Sequence, residues 1–308
     1  MKFPKLKSKV ILAPLEDVTN IPFRLLCQKY GAGITYTQQL SAVALVRESK
    51  MSLQLAKKCK DENLVGLQLF GRNPEILLEA AKKYGKDFDL IDLNLGCPSK
   101  KIVEQGYGSA LLKEEKKVFE IVNILSKNLD KPVTVKMRSG FKKVDALKLV
   151  KVIEEAGASA ITLHARTREQ GYSGHSDWEL IRKVKETVKI PIIGNGDVVD
   201  EESAKEILEK TKCDYIMIGR GAMKNPFIFE RINYYLKTGK KLEQKDKIEL
   251  FEEYYKLCKK YNMESAVNLK QIACYFTQGL ENSSKIREKL QKVRNAEEIL
   301  KILREKSI

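Results

Sequence analysis

No stretch of the 308-residue chain approaches the roughly 20 consecutive apolar residues that span a bilayer, so no transmembrane helix is expected. The opening residues, Met1 to Lys7, are basic but lack an apolar core. A signal peptide is therefore not expected, and the cytoplasm is the default location. The six cysteines are scattered (Cys27, Cys59, Cys97, Cys213, Cys258 and Cys274) and form no C-x-x-C. That spacing gives neither a disulfide framework nor a zinc site. Only two histidines occur, His164 and His175, and no metal centre is expected. No G-x-G-x-x-G follows a strand-like run, so a dinucleotide fingerprint is missing. Low-complexity segments are absent too.

The chain does have apolar material, at 43% hydrophobic and 32% charged residues. That balance excludes a disordered chain. The length supports a sizeable core, as one large domain or a large one with a small companion. The formal net charge is +16. Such a chain attracts polyanions, because neutralising phosphates releases counterions. The plainer reading is a solvated Lys-rich surface, and abundant Lys and Glu also accompany heat adaptation.

Eight short apolar runs alternate with helical patterns. They begin at Val10, Gly33, Leu64, Leu90, Val133, Ala160, Pro191 and Tyr215. The runs are continuous, as in a sheet buried on both faces. Between them, Ala146, Leu149, Val150, Ile153 and Ala156 share one helical face, and Gly157 supplies a stop. Asn73-Pro74 reads as a cap with Pro in the first turn of the next helix. Eight β–α units in about 225 residues predict an α/β fold, a (β/α)₈ TIM barrel. A doubly wound open sheet is the competitor. After residue 237 the strands stop. Ile248, Phe251, Tyr255 and Cys258 form one helical face, and Ile286, Leu290, Val293, Leu300 and Leu303 another. The expected division is a barrel over 1–237 and a small, net-basic, all-helical domain over 238–308.

In such a barrel the chemistry sits where strands end. The Gly-rich turns Gly194-Asn195-Gly196-Asp197 and Gly219-Arg220-Gly221 follow the last two strands. Backbone N–H groups there can approach an anion, and Arg220 adds a fork of donors. Lys136 ends an apolar strand, so it should face a ligand or an acid. His164 ends the next strand and reads as a ligand contact, whereas His175 reads as surface. Cys97, in the loop after strand four, is placed to be a nucleophile, a metal ligand or an acid.

Taken in order, the motifs resemble the tRNA-dihydrouridine synthase family. They are Ala13-Pro14, Val18-Thr19-Asn20, Pro22-Phe23-Arg24, Gln68-Leu69-Phe70-Gly71 and Asp92-Leu93-Asn94-Leu95-Gly96-Cys97-Pro98. Val135-Lys136-Met137-Arg138-Ser139-Gly140, His164-Ala165-Arg166-Thr167-Arg168, Gly194-Asn195-Gly196-Asp197 and Ile218-Gly219-Arg220-Gly221-Ala222 follow. The likeness covers roughly residues 10–235, and the tail matches more loosely through Lys270, Tyr275 and Arg287. The resemblance implies a barrel that holds FMN, reduces it with NADPH and then reduces the C5–C6 bond of tRNA uridines. It implies that Pro14, Leu15, Glu16 and Gln68 contact the flavin, with Lys136 and His164 flanking it. Asn195, Gly196, Asp197, Gly219 and Arg220 would hold its phosphate end. Cys97 would give the proton to C5 after hydride reaches C6, as a thiol largely protonated at pH 7 can. Asn94, Arg166 and Tyr172 would meet substrate, and Lys270 and Arg287 the tRNA backbone. The chain departs from the pattern in carrying Leu15-Glu16-Asp17 where relatives often have Met-Ala-Gly, and Asn20 for Asp.

Two other functions compete with the one implied. One is an FMN barrel enzyme of a small molecule, of the dihydroorotate type; the +16 charge and basic tail argue against it. The other is a non-catalytic RNA-binding protein, against which the joint presence of Cys97, Lys136 and His164 speaks. A monomer is expected.

Overall fold

The computed structural model describes residues 1–305. Nine short strands form one all-parallel sheet: β1 (Val10–Leu12), β2 (Thr35–Tyr36), β3 (Leu40–Ser41), β4 (Val65–Phe70), β5 (Leu90–Leu95), β6 (Val133–Arg138), β7 (Ala160–His164), β8 (Ile192–Asn195) and β9 (Tyr215–Ile218). Their spatial order is β1-β9-β8-β7-β6-β5-β4-β2, with β3 also on β4. The Leu12 N–H donates to the Ile34 carbonyl at 3.1 Å, and the Gly33 N–H to that of Val10 at 2.9 Å. Those bonds bring the first and second units together, so the sheet curls into the expected barrel and not an open doubly wound sheet.

β2 and β3 together make the second barrel strand. Thr37 interrupts it: its hydroxyl accepts the Gln68 N–H at 3.0 Å and donates to the Gln38 carbonyl. A side chain thus replaces a main-chain acceptor in the ladder.

Register explains why the strands are buried on both faces. Leu67, Leu69, Leu93, Leu95, Val135, Met137 and Leu163 point outward and join the layer under the helices. Each such side chain contributes roughly 1.5–3 kcal/mol. Ile11, Ile34, Tyr36, Leu90, Ala160 and Ile193 fill the interior. Above them the inward positions turn polar. Gln68, Asp92 and Thr134 lie in register, then Asn94, Lys136 and Thr162, then Arg138, His164 and Asn195. A polar shaft therefore rises through the barrel to the C-terminal mouth.

The helices fall where periodicity places them. Asn73 caps the helix Pro74–Tyr84 by accepting the Ile76 N–H. The helix Ala146–Glu155 ends before Gly157, whose φ of +97° suits glycine. Between β5 and β6 the structure adds a short helix, Lys100–Glu104, and a 3-10 turn, Gly108–Lys113, ahead of the barrel helix Glu115–Asn128. That excess length belongs to the loop carrying Cys97.

The tail has four helices: Lys247–Lys260, Ala266–Phe276, Ser283–Lys292 and Ala296–Arg304. The second apolar face expected from sequence is divided between the last two, where Asn295 starts a new helix by accepting the Glu298 N–H. The tail shares an apolar core with the barrel's outer layer. Tyr254 packs on Phe23 with ring centroids 6.2 Å apart, and its hydroxyl accepts a hydrogen bond from Asn20 Nδ2 at 2.8 Å. Lys29 and Tyr30 both reach Glu253. Among the described residues no helix is long and apolar enough to cross a membrane.

Candidate active site

Two adjoining cavities open at the C-terminal mouth. They share Pro14, Leu15, Lys136, His164 and Tyr172. One extends over Asn195, Gly196, Asp197, Gly219 and Arg220; the other over Glu16, Gln68, Asn94 and Cys97. Eight separate stretches of the sequence thus converge on one cleft. Of the residues singled out in the sequence, Arg166, Lys270 and Arg287 lie outside its walls. Lys270 and Arg287 sit on the tail, both beside Cys274.

Lys136 stands at the junction of the two cavities. Its ammonium has no hydrogen-bond or ion-pair partner among the described residues. Burial, with Arg138 nearby, pushes its pKa from 10.5 down to about 8. An unpartnered cation in such a place suits an anion or a polarised carbonyl on a ligand. His164 is driven the other way from protonation. Burial first, then Lys136, Arg138, Arg166 and Arg220, push its pKa down to about 2. Its Nε2 lies 3.4 Å from Arg166 Nη1, which can only donate. The ring proton therefore sits on Nδ1, and His164 is a neutral hydrogen-bonding group.

Cys97 is 9% exposed and lines the second cavity. Its loop is held at several points. The N–H groups of Gly96 and Cys97 both donate to Asn94 Oδ1 at 2.9 Å. The Cys97 carbonyl accepts from the Ser109 hydroxyl at 2.8 Å. Arg138, fully buried, donates from Nε to the Gly96 carbonyl and from Nη1 to those of Thr167 and Gly171. One guanidinium thus ties the Cys97 loop to the loop after β7. Sequence reasoning gave Arg138 no role. The available signal was its place two residues beyond Lys136 on the same strand face.

The loop after β7 carries Tyr172, 59% exposed above the mouth. Its ring lies 4.8 Å from the Arg220 guanidinium and 5.5 Å from that of Arg138. The arrangement leaves an aromatic face beside two cations.

Three of the singled-out side chains already have partners within the chain. Arg166 is 1% exposed, and its guanidinium is committed to Asp197, to the carbonyls of Ser173 and Gly174, and to His164. It braces the site. Asp197 faces that arginine at 2.8 Å and Arg220 at 3.4 Å. Burial works against its charge, but the Ser176 N–H and the two arginines hold the carboxyl below its usual range. Such an anion cannot itself grip a phosphate; it anchors the arginines, and the neighbouring backbone is what remains for an anion. Asn94 has all four hydrogen-bonding valences filled from within, by Gln39, Gln68, Gly96 and Cys97. It shapes the cleft from its wall.

The wall fits a flat heteroaromatic ring bearing an anionic arm. Ala13, Pro14, Leu15 and Met217 give apolar surface. Lys136 and Gln68 offer donors at one end, and the Gly196 and Gly219 backbone with Arg220 lies at the other. Gly196 has φ of +122°, and a Cβ there would come within 2.4 Å of the Ser176 hydroxyl. Close approach of main chain is therefore built in. Among the described residues no group of three His, Cys, Asp or Glu side chains could hold a metal.

Comparison with known proteins bears on this geometry. The family model described as "Dihydrouridine synthase (Dus)" matches residues 11–308. A Rickettsia conorii protein named "Probable tRNA-dihydrouridine synthase" is 40% identical over 293 residues, covering 92% of this chain and 88% of its own. The tRNA-dihydrouridine synthase B of Pseudomonas aeruginosa is 38% identical over 241 residues, covering 77% of this chain and 72% of its own. Among solved structures, histamine dehydrogenase from Rhizobium sp. 4-9 superposes with a TM-score of 0.55 at 14% identity, over 82% of this chain and 49% of that one. The chain thus spans about half of that enzyme, and the likeness concerns the fold alone. With the profile match running through every loop that builds the cleft, the chain belongs to the dihydrouridine synthase family.

Proposed function

We propose that the chain is an FMN-dependent tRNA-dihydrouridine synthase that uses NADPH to reduce the C5–C6 bond of tRNA uridines. The observation that carries this is the convergence of Cys97 and the unpartnered Lys136 on one cleft. Cys97 is the proton donor. When bound, the flavin supplies the hydride.

Pro14, Leu15, Glu16 and Gln68 would hold its ring. Lys136 would place a positive charge beside it. Neutral His164 would flank the same ring from the wall shared by the two cavities. The Asn195-Gly196-Asp197 and Gly219-Arg220 turns hold the phosphate arm through backbone N–H groups and the Arg220 fork. Cys97 gives its Sγ proton to uracil C5 and is reprotonated from solvent. Tyr172 stacks on the extruded base, whose release from its neighbours costs a few kcal/mol. The basic surface and the tail, through Lys270 and Arg287, contribute phosphate contacts that offset this cost. The enzyme would work as a monomer in the cytoplasm, where its substrate is.

Anaerobic stopped-flow absorbance tests the reading. Protein reduced by NADPH is expected to be reoxidised by tRNA lacking dihydrouridine. It should not be reoxidised by tRNA that already carries the modification. Reoxidation by a small enone such as orotate, with none by tRNA, would replace it with the small-molecule enzyme.

A further inference from the structure

Beneath Cys97 runs a chain of polar side chains that starts at a buried carboxylate and ends at the wall of the cleft. Asp92 is 1% exposed. Its Oδ1 accepts from the Thr134 hydroxyl at 2.6 Å, and its Oδ2 from Gln68 Nε2 at 2.7 Å. Gln68 Oε1 accepts from Asn94 Nδ2 at 2.9 Å. Asn94 Oδ1 in turn accepts the N–H groups of Gly96 and Cys97. The direction of the chain is fixed at both ends. An ionised carboxylate can only accept, and two backbone N–H groups can only donate. Between them, each amide has one orientation that satisfies both neighbours.

We propose that Asp92 is a positioning residue for Cys97: it sets the amide orientation of Gln68 and Asn94, and through them holds the loop bearing the thiol. This rests on the reading of Cys97 as the proton donor. Asp92 lines neither cavity, so it meets no ligand directly. A hydrogen-bond chain with a defined direction makes a specific demand. Asn94→Asp puts a second acceptor against Gln68 Oε1. The amide of Gln68 then faces carboxylates on both sides and cannot satisfy both with one NH₂ in line. Adding Asp92→Asn reverses the chain from 92 to 94, and the cleft-wall amide of Gln39, whose Oε1 accepts from Asn94 Nδ2 in the parent, turns to donate. Asn at 92 donates to Gln68 Oε1, Gln68 Nε2 donates to Asp at 94, and Asp at 94 still receives the N–H groups of Gly96 and Cys97. Thr134 keeps its acceptor on the new amide oxygen.

The experiment is a double-mutant cycle on the purified holoenzyme, read by iodoacetamide alkylation of Cys97 and mapped by mass spectrometry. Alkylation of Cys274 serves as internal control. Burial lifts the Asp92 pKa to about 6, so the rates are taken at about pH 8. Asp92→Asn can still accept from Gln68 by turning its NH₂ to the Thr134 hydroxyl, and is expected within about twofold of the parent. Asp92→Ala, which removes the acceptor, and Asn94→Asp are each expected about tenfold faster, as coupled neighbours allow. Asp92→Ala at the parental rate overturns the proposal. The double variant should return to within about twofold. A double variant as fast as Asn94→Asp, or an Asn94→Asp variant at the parental rate, overturns the proposal. Should Asn94→Asp not fold by circular dichroism, the double variant must fold to sustain the proposal, and its failure overturns it. The alkylation rate is independent of turnover. If the parent makes no dihydrouridine yet the cycle closes, the functional reading fails and the positioning stands.

Discussion

Lys136→Met should make the flavin-free protein more stable while costing it the cofactor. Inside the mouth the Lys136 ammonium is desolvated and has no counter-ion in contact, which lowers its pKa from 10.5 to about 8. At about 1.4 kcal/mol per pH unit, holding the charge there costs up to about 3 kcal/mol. Solvent still reaches part of the side chain, which lowers the figure to about 2 kcal/mol. The sign follows from linkage. Between pH 8 and 10.5 the unfolded chain carries this proton and the folded chain does not, so stability rises with pH there. Below pH 8 both states are protonated and the full penalty applies. Urea unfolding of flavin-free parent and variant should therefore differ by about 2 kcal/mol in favour of Met at pH 7. The gap should close as pH rises from 8 to 10.5. Flavin titration of the same two proteins should show the opposite preference. A variant less stable than its parent at pH 7, or a gap unchanged at high pH, refutes the reasoning.

Cys97→Ser should lower single-turnover tRNA reduction by roughly 10²–10⁴-fold, the usual worth of a general acid. Flavin reduction by NADPH should be unchanged; parental turnover in the variant removes the donor role. Arg24 is buried against Glu62 at 2.6 Å. Arg24→Met leaves that carboxylate unpaired and should cost about 3–5 kcal/mol in urea unfolding, and a loss under about 1 kcal/mol contradicts the pairing. His164 stays neutral when folded until pH about 2, whereas its unfolded form protonates near 6.5. Acid should therefore weaken the parent more than His164→Gln as pH falls below 6.5, and parallel acid limbs would speak against a buried neutral ring. Lys270→Ala and Arg287→Ala should each reduce the slope of log affinity for tRNA against log salt by roughly one. Filter binding at several salt concentrations reads this, and unchanged slopes take both residues off the RNA.

The barrel was legible because its strands are short apolar runs at regular spacing, and every strand end could be read as a potential wall of the mouth. Cys97, Lys136 and His164 could be singled out because each is a chemically active residue at such an end. Other features depend on where side chains spend their hydrogen bonds, which spacing does not reveal. Arg166 sits in a matching motif, yet its donors are consumed by Asp197 and two carbonyls. Asn94 is the same case, with four internal partners. Thr37 divides the second strand by offering a hydroxyl to the ladder, a choice that an apolar pattern cannot register. The last two tail helices share a hydrophobic period across the turn at Asn295, so one face was expected where two occur. Tyr254, which joins the tail to the barrel through Asn20 and Phe23, gives no sign of that pairing in sequence.

The most direct test is nucleoside mass spectrometry of tRNA lacking dihydrouridine after incubation with the purified protein and NADPH. The expected result is a gain of two hydrogens on uridine, mapped to a defined position and lost in Cys97→Ala. A yellow protein that oxidises NADPH but leaves every uridine unchanged would contradict the account.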